Sequence, residues 1–271
     1  TMAADRELLS YMKLDDRGAL YKQTGQLTPG APEKETRNWE SNTDYNTLAA
    51  GISESRTPAK RTASLLDLTN IAAVINYIAV ARLTQEADDV WANMVLYRDS
   101  EGTQEWRPVP FDLNLSFGQL FHDGQTWNTV VHATMDNNKS HPLYGSSVCR
   151  PQYPNNPAYN TWWNRLYDAV IQNPETRAML LRRMRTLMDR FYKAPGTPYA
   201  LRPLEKELDA LWAKIQPEAE LDYTAWGRPP VNNTAGSFGV YGLGNVTPAQ
   251  AVSDVKDLYI GPRRTHLYIT H

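Results

Sequence analysis

The chain has 271 residues, of which 41% are hydrophobic and 21% charged, so its composition predicts a globular protein with a substantial core. Its 28 basic and 30 acidic residues give a net charge of −2, which argues against nucleic-acid binding and a polybasic membrane anchor. No apolar run reaches the roughly 18 residues of a membrane span, and the single cysteine, Cys149, excludes an intramolecular disulfide.

The N-terminal part of the chain predicts little regular structure. Asp5–Lys13 has the pattern of a short helix, and Gly18–Lys22 has that of a strand. Residues 23–64 are polar and contain several prolines and glycines, which favours a loop with one short helix near Tyr45–Ile52. We therefore treat residues 1–66 as an N-terminal remnant followed by an irregular segment.

The strongest predicted helix runs from Asp67 to Gln85. Asp67 is a good N-cap, and residues 68–80 are apolar on nearly every side, which predicts a buried helix. The helix leads directly into Glu86-Ala87-Asp88-Asp89. A buried helix that ends in several acidic residues is unusual and marks this stretch for attention.

A β-hairpin is predicted directly after the acidic stretch. The apolar segments Met94–Tyr97 and Trp106–Phe111 flank the turn at Asp99–Gly102. Pro108 and Pro110 cannot donate a backbone hydrogen bond to a neighbouring strand. The second strand is therefore expected to be irregular or to lie at an edge of the sheet.

The remainder of the chain divides into a loop-rich part and a helical part. Residues 119–160 are rich in Asn, His, Pro and Gly, a composition typical of a long loop. Helical spacing then predicts four helices, at Tyr159–Gln172, at Glu175–Tyr192 with Asn173 as N-cap, around Leu204–Ile215, and at Pro248–Tyr259. This order of elements predicts an α+β fold with a mostly helical C-terminal half.

Three side chains around the hairpin have the chemistry that phosphoryl transfer needs. Asp88 and Asn93 form an Asp-x-x-x-x-Asn pattern, and Asp112 follows at the far end of the hairpin. Because a hairpin folds back on itself, Asn93 and Asp112 should be near neighbours. An aspartate can orient an acceptor hydroxyl and take its proton, while an asparagine oxygen and a second carboxylate can hold Mg²⁺ against phosphate oxygens.

Alternatives remain open for these residues. In a purely structural interpretation, Asp88 and Asp89 cap the end of the helix, and Asp112 and Asn114 form a turn. Asp89 is also a rival to Asp88 for the catalytic base. Lys22, at the end of its strand, is either a contact for ATP phosphates or a solvated surface residue.

The segment from Val74 to Gly118 resembles the core signature of the CotH kinase family. The resemblance rests on the acidic stretch that includes Asp88, on Asn93-Met94-Val95-Leu96-Tyr97-Arg98-Asp99, and on Trp106 through Pro110-Phe111-Asp112-Leu113-Asn114-Leu115-Ser116-Phe117-Gly118. Further similarity lies in Gly18–Lys22 and in Tyr259–Tyr268.

The resemblance implies one CotH kinase-like domain over residues 1–271, with an atypical protein-kinase-like fold. The catalytic core would be residues 67–121 and the mostly helical part residues 122–271. The N-lobe of a kinase would be largely absent or truncated, since relatives have strands before the segment that contains Lys22.

The resemblance also implies the residue roles and the cofactors, ATP and Mg²⁺. Asp88 would be the catalytic base, Asn93 and Asp112 would bind the metal, and Lys22 would contact the nucleotide. Asn114 stands where many relatives have a second Asp, and it would be a further ligand.

The implied activity is phosphorylation of Ser or Thr in a secreted, cell-surface or spore-coat protein. The implied location is extracellular or at the cell surface. The alternative is a non-catalytic spore-coat or surface module with a vestigial site, and a phosphate-processing enzyme of another kind is a third interpretation. The sequence identifies neither the protein substrate nor the oligomeric state.

Overall fold

The protein combines a small antiparallel sheet with a larger set of helices, which confirms the α+β class. The computed structural model describes residues 3–30, 32–86, 89, 93–113, 116–118, 121–122, 126–127, 133, 163–226 and 247–270. In chain order the elements are α1 Arg6–Tyr11, β1 Ala19–Gln23, β2 Glu33–Lys34, α2 Thr43–Gly51, α3 Pro58–Leu68, α4 Ile71–Leu83, β3 Met94–Arg98, β4 Trp106–Val109, β5 Phe121–His122, β6 Thr126–Trp127, α5 Arg165–Gln172, α6 Pro174–Leu187, α7 Pro203–Trp226, α8 Pro248–Asp254 and α9 Gly261–Thr265.

The main sheet has the strand order β2-β1-β3-β4, and all its neighbouring strands are antiparallel. β3 and β4 form the predicted hairpin, in which Val95 lies opposite Val109. β4 is at the edge of the sheet. This position agrees with the prediction from Pro108, because an edge strand needs no donor on its outer side.

The two faces of the sheet pack against different parts of the chain. On one face, Tyr21, Leu96 and Trp106 join a large core that includes residues of α2, α3 and α4. On the other face, Leu20 and Val95 pack in a smaller cluster with α1. The sheet is therefore covered on both sides, and its ends are where polar side chains can reach solvent.

The helix predicted from Asp67 to Gln85 is wrong as a single element. α3 ends at Leu68, Thr69 has an extended backbone, and α4 starts after Asn70, whose side chain accepts from the Ala73 backbone N–H. Asn70 is therefore the N-cap, in place of Asp67. The break has a clear cause, because the Asn70 N–H donates to the Trp106 carbonyl at 2.9 Å and joins the chain to β4.

α3 itself falls partly in the region where the sequence predicted a loop. Pro58 is its first residue, a position where the missing N–H of proline costs nothing. The helix predicted at Tyr45–Ile52 is confirmed as α2. Two signals for α3 were present in the sequence. One is Thr57 before Pro58, and the other is the helical spacing of Arg61 and Leu65, which are both buried.

The C-terminal helices follow their predictions closely. α6 begins at Pro174 with Asn173 as its N-cap, as predicted, and it continues through a π-helical turn to Tyr192. α5 is shorter than predicted because Asn164 caps it, and residues 159–162 lie outside the described part of the chain. α7 contains the predicted Leu204–Ile215 segment, and α8 starts at the predicted Pro248. In the described ranges, no helix combines the length and the apolar character of a membrane span.

Candidate active site

The hairpin brings Asn93 and Asp112 together, as the sequence predicted. Asn93 comes directly before β3, and Asp112 follows the end of β4 by three residues. The Asn93 Nδ2 atom donates to Asp112 Oδ2 at 3.4 Å, and both residues are half-buried. Two oxygen-bearing side chains thus meet at one end of the sheet.

Lys22 lies at this same end of the sheet. It is opposite Val95, two residues beyond Asn93 in β3. Its Nζ atom is 5.0 Å from the centre of the Phe111 ring, and Phe111 directly precedes Asp112. The cation–π contact directs the lysine towards the segment that carries the candidate metal ligand.

The backbone around this end of the sheet is in the left-handed region at four non-glycine residues. The φ angles are 42° at Asn93 and 49° at Asp112, two residue types that tolerate this conformation. They are 56° at Gln85 and 58° at Phe117, where the conformation is costly. Such backbone conformations persist only where the surrounding structure holds them, and they are common at functional sites.

Hydrogen bonds connect the segment after α4 to the segment after the hairpin. The Phe117 N–H donates to the Thr84 carbonyl at 2.7 Å. The Ser116 hydroxyl donates to Glu86 Oε2, also at 2.7 Å, in a buried contact. These bonds hold together the two segments that enter and leave the candidate site.

Asp89 is buried, with 1% of its surface exposed. Its carboxylate accepts from Arg82 Nη2 at 3.1 and 3.2 Å and from the Tyr167 hydroxyl. Its main-chain carbonyl accepts from the Asn164 side-chain amide at 3.1 Å. The residue is thus held by α4 on one side and by the start of α5 on the other.

Two of the predicted site residues, Asp88 and Asn114, lie outside the described residues. Their assigned roles, as base and as further metal ligand, remain predictions. Among the residues that are described, no group of three or more His, Cys, Asp or Glu side chains could hold a metal ion. Asn93 and Asp112 are a smaller pair that includes an asparagine, and they are considered by their donor chemistry.

The pair fits Mg²⁺ by its donor chemistry. Asp112 supplies a carboxylate, and a half-turn of the Asn93 amide exchanges its Nδ2 for Oδ1 on the side that faces Asp112. Both atoms are then hard oxygen donors, which Mg²⁺ prefers. Two protein ligands are enough for this ion, since it keeps several waters and binds substrate phosphates.

Comparison with known protein families agrees with the resemblance seen in the sequence. A family model described as CotH kinase protein matches residues 3–254. The chain belongs to the CotH kinase family. The match includes β1 with Lys22, the hairpin with its flanking site residues, and the helices as far as α8. No curated protein and no solved structure matches this CotH chain.

The residues that surround Asp89 were not predicted from the sequence. Arg82 is completely buried near the end of α4, the most apolar of the described helices. That position was a usable signal, because a charged residue in a buried helix needs a buried partner. Tyr167 and Asn164 gave no comparable signal, since they are separated from Asp89 by a long polar stretch.

Gly25 is expected to be intolerant of a side chain because it packs directly on this loop. A Cβ atom at Gly25 would lie 2.3 Å from the Asp89 carbonyl oxygen and 2.6 Å from the Asn164 amide nitrogen. We expect Gly25→Ala to lower the free energy of unfolding by about 1–3 kcal/mol, as overpacking usually does. Urea unfolding of both proteins measures the change.

Gly261→Ala is the matched control for this prediction. Its new Cβ would meet only the Lys256 carbonyl, at an ordinary contact distance of 3.5 Å. A stability loss in Gly25→Ala no larger than in Gly261→Ala would contradict the tight packing of Gly25 on Asp89.

Proposed function

We propose that this member of the CotH kinase family transfers the γ-phosphoryl group of ATP to a Ser or Thr hydroxyl of a protein, with Mg²⁺ as the metal. The observation that carries the proposal is the meeting of Asn93 and Asp112 at one end of the hairpin. Lys22 at the same end supplies the positive charge that a triphosphate needs. Family membership supports the kinase class of chemistry.

Asn93 and Asp112 are proposed to hold the metal between them. The ion, when bound, neutralises charge on the phosphate oxygens during transfer. The left-handed backbone at both residues supports this role, because such conformations are concentrated at active sites and ligand-binding sites. Asn114 is a candidate for a third ligand by its place in the family signature.

Asp88 is proposed as the general base in preference to Asp89. The base must reach the acceptor hydroxyl, and the Asp89 carboxylate is buried and bound to Arg82 and Tyr167. Asp88 has the five-residue spacing to Asn93 that kinase catalytic loops use. In the proposed step, the hydroxyl oxygen attacks the γ-phosphorus, its proton passes to the Asp88 carboxylate, and ADP leaves.

Lys22 is proposed to bind the phosphates of ATP. Its side chain lies on the face of the sheet that α1 covers, beside Phe111. Glu35 is close enough to Lys22 for the two charges to interact. Burial raises the pKa of Glu35, and the negative charge of the nearby Glu33 raises it further. The positive charge of Lys22 opposes this rise. Lys22 thus has an acidic neighbour that can orient it.

The proposed setting is a single CotH kinase-like domain acting on a secreted, surface or spore-coat protein. Its catalytic core would be residues 67–121, preceded by residues 1–66 and followed by the mostly helical residues 122–271. This setting follows the family and is independent of the site geometry.

Incubation of the folded protein with γ-labelled ATP and Mg²⁺ tests the proposal. The acceptors are the protein itself and a broad panel of proteins with exposed Ser and Thr. We expect label on Ser or Thr, and a chelator should remove it. Absence of label on every acceptor, together with no binding of Mg²⁺–ATP in calorimetry, would contradict the proposal and favour a non-catalytic module.

A further inference from the structure

A buried ion pair joins the end of α4 to the loop that follows it. Arg82 has none of its surface exposed and Asp89 has 1%. Besides its two contacts with the Asp89 carboxylate, Arg82 Nη2 donates to the Glu86 carbonyl at 2.8 Å. The Arg82 guanidinium group therefore contacts both Glu86, where the loop begins, and Asp89, in the middle of the loop.

The start of α5 completes this arrangement. The Tyr167 hydroxyl donates to Asp89 Oδ2, and the Tyr167 ring lies 4.9 Å from the Arg82 guanidinium carbon. Burial, followed by the charge of Asp89, raises the pKa of Tyr167 well above its usual range, so the hydroxyl keeps its proton and remains a donor. Asn164 accepts from the Leu166 and Tyr167 N–H groups and donates to the Asp89 carbonyl, so it links the helix cap to the loop.

The base of the arrangement is fixed from the C-terminal part of the chain. Arg263 is fully buried, and its Nη2 donates to the Arg82 carbonyl at 3.1 Å. Tyr192 and Tyr259 donate to the next carbonyl, that of Leu83, at 2.8 and 2.9 Å. The end of α4 is therefore held through the side chain of Arg82 and through the backbone carbonyls of Arg82 and Leu83.

A buried ion pair by itself contributes little to the free energy of unfolding, because the cost of removing both charges from water offsets most of their attraction. Its location in this chain indicates another use. Asp89 directly follows Asp88 in the sequence and precedes Asn93 by four residues, so contacts that fix Asp89 restrain the chain between the proposed base and the proposed metal ligand.

From these contacts we infer that Asp89 anchors the proposed catalytic loop, and that Arg82, Tyr167 and Asn164 are positioning residues for Asp88 and Asn93. This inference rests on the proposed function. It assigns the two adjacent aspartates different roles: Asp88 acts on the substrate, and Asp89 holds the loop in place.

A second buried ion pair on α5 provides a comparison. Arg61 and Asp168 are in contact at 2.7 Å, and both side chains are buried. Asp168 is the residue after Tyr167, but its partner is on α3, away from the loop. Loss of this pair should affect stability without the specific effect on the loop.

The first test compares Tyr167→Phe with Tyr45→Phe. Each variant removes the hydroxyl of a buried tyrosine, but the Tyr167 hydroxyl bonds to the loop, whereas the Tyr45 hydroxyl donates to the Thr28 carbonyl at 3.1 Å. We expect Tyr167→Phe to lower kcat by about tenfold to a hundredfold, since small displacements of catalytic groups have such effects, with KM for ATP within about twofold. Tyr45→Phe should leave kcat near the wild-type value.

Hydrogen–deuterium exchange provides a readout that needs no activity. Peptides covering residues 86–93 should exchange faster in Tyr167→Phe than in Tyr45→Phe at equal global stability. Unchanged exchange in these peptides would overturn the anchoring role even if the protein is an active kinase. If the wild-type protein transfers no phosphate but these peptides exchange faster in Tyr167→Phe, the anchor is supported while the proposed function fails.

The second test compares Asp88→Asn, Asp89→Asn and Asp168→Asn. We expect Asp88→Asn to abolish transfer, while Asp89→Asn retains a fraction of it because the amide oxygen still accepts from Tyr167. Asp168→Asn should lose stability but keep kcat in the folded fraction. Greater loss of kcat in Asp89→Asn than in Asp88→Asn, measured on folded protein, would make Asp89 the base and overturn the inference.

Discussion

Asp112→Asn should lower kcat for phosphoryl transfer by at least about a thousandfold. The change replaces a charged metal ligand by a neutral one, and metal-ion stabilisation of a transferring phosphoryl group is worth several kcal/mol, at about 1.4 kcal/mol for each factor of ten. Asparagine tolerates the left-handed backbone of Asp112, where φ is 49°, so the fold of the segment should be kept. Transfer from labelled ATP measures the effect.

Asp67→Asn is the control for this variant, since Asp67 is exposed on α3, near the Trp106 end of β4, whereas Asp112 follows the opposite end of that strand. Both variants should unfold at the same urea concentration as the wild type. Equal transfer by Asp112→Asn and the wild type would exclude Asp112 as a metal ligand. Asp112→Ala should be less stable than Asp112→Asn, because alanine in the left-handed region costs about 1–2 kcal/mol.

Arg82→Met should lower the free energy of unfolding by about 3–5 kcal/mol. Methionine fills a similar volume but leaves the Asp89 carboxylate buried without its cation, which is the costly way to break a buried ion pair. It also removes the donor to the Glu86 carbonyl. Urea unfolding followed by circular dichroism and by tryptophan fluorescence provides the measurement.

Arg185→Met is the matched control, with the same substitution in an exposed ion pair. Arg185 contacts Asp189 at 2.9 Å, and more than half of each side chain is exposed. Exposed pairs of this kind contribute little to stability, because water and salt screen them. Equal losses in Arg82→Met and Arg185→Met would show that the Arg82–Asp89 pair is not a buried, desolvated contact.

Local sequence patterns were sufficient for much of the fold and for one part of the candidate site. The apolar run Met94–Tyr97 and the turn after it predicted the hairpin, and the hairpin placed Asn93 beside Asp112. Asn173 and Pro174 fixed the start of α6. In each case the interacting residues are within about twenty positions of each other in the sequence. A local sequence pattern is therefore enough to indicate the interaction.

Contacts between distant segments were not predictable in this way. The break at Asn70 depends on a hydrogen bond to Trp106, and nothing near Asn70 in the sequence indicates that partner. The partners of Asp89 come from α4 and from the start of α5, about seventy-five residues later. The position of Arg82 in an apolar helix indicates that it has a buried partner, but only the structure identifies that partner as Asp89.

The hydrogen bond from Arg263 to the Arg82 carbonyl has a consequence for the order of events during synthesis. The loop with Asp89, the hairpin and Asp112 leave the ribosome long before Arg263 does. At about 5–20 residues per second, the roughly 150 residues between Asp112 and Arg263 take about 8–30 seconds to make. The end of α4 therefore lacks one of its buried donors until Arg263 has been synthesised, so the contacts that hold the site are completed well after the site residues themselves have been made.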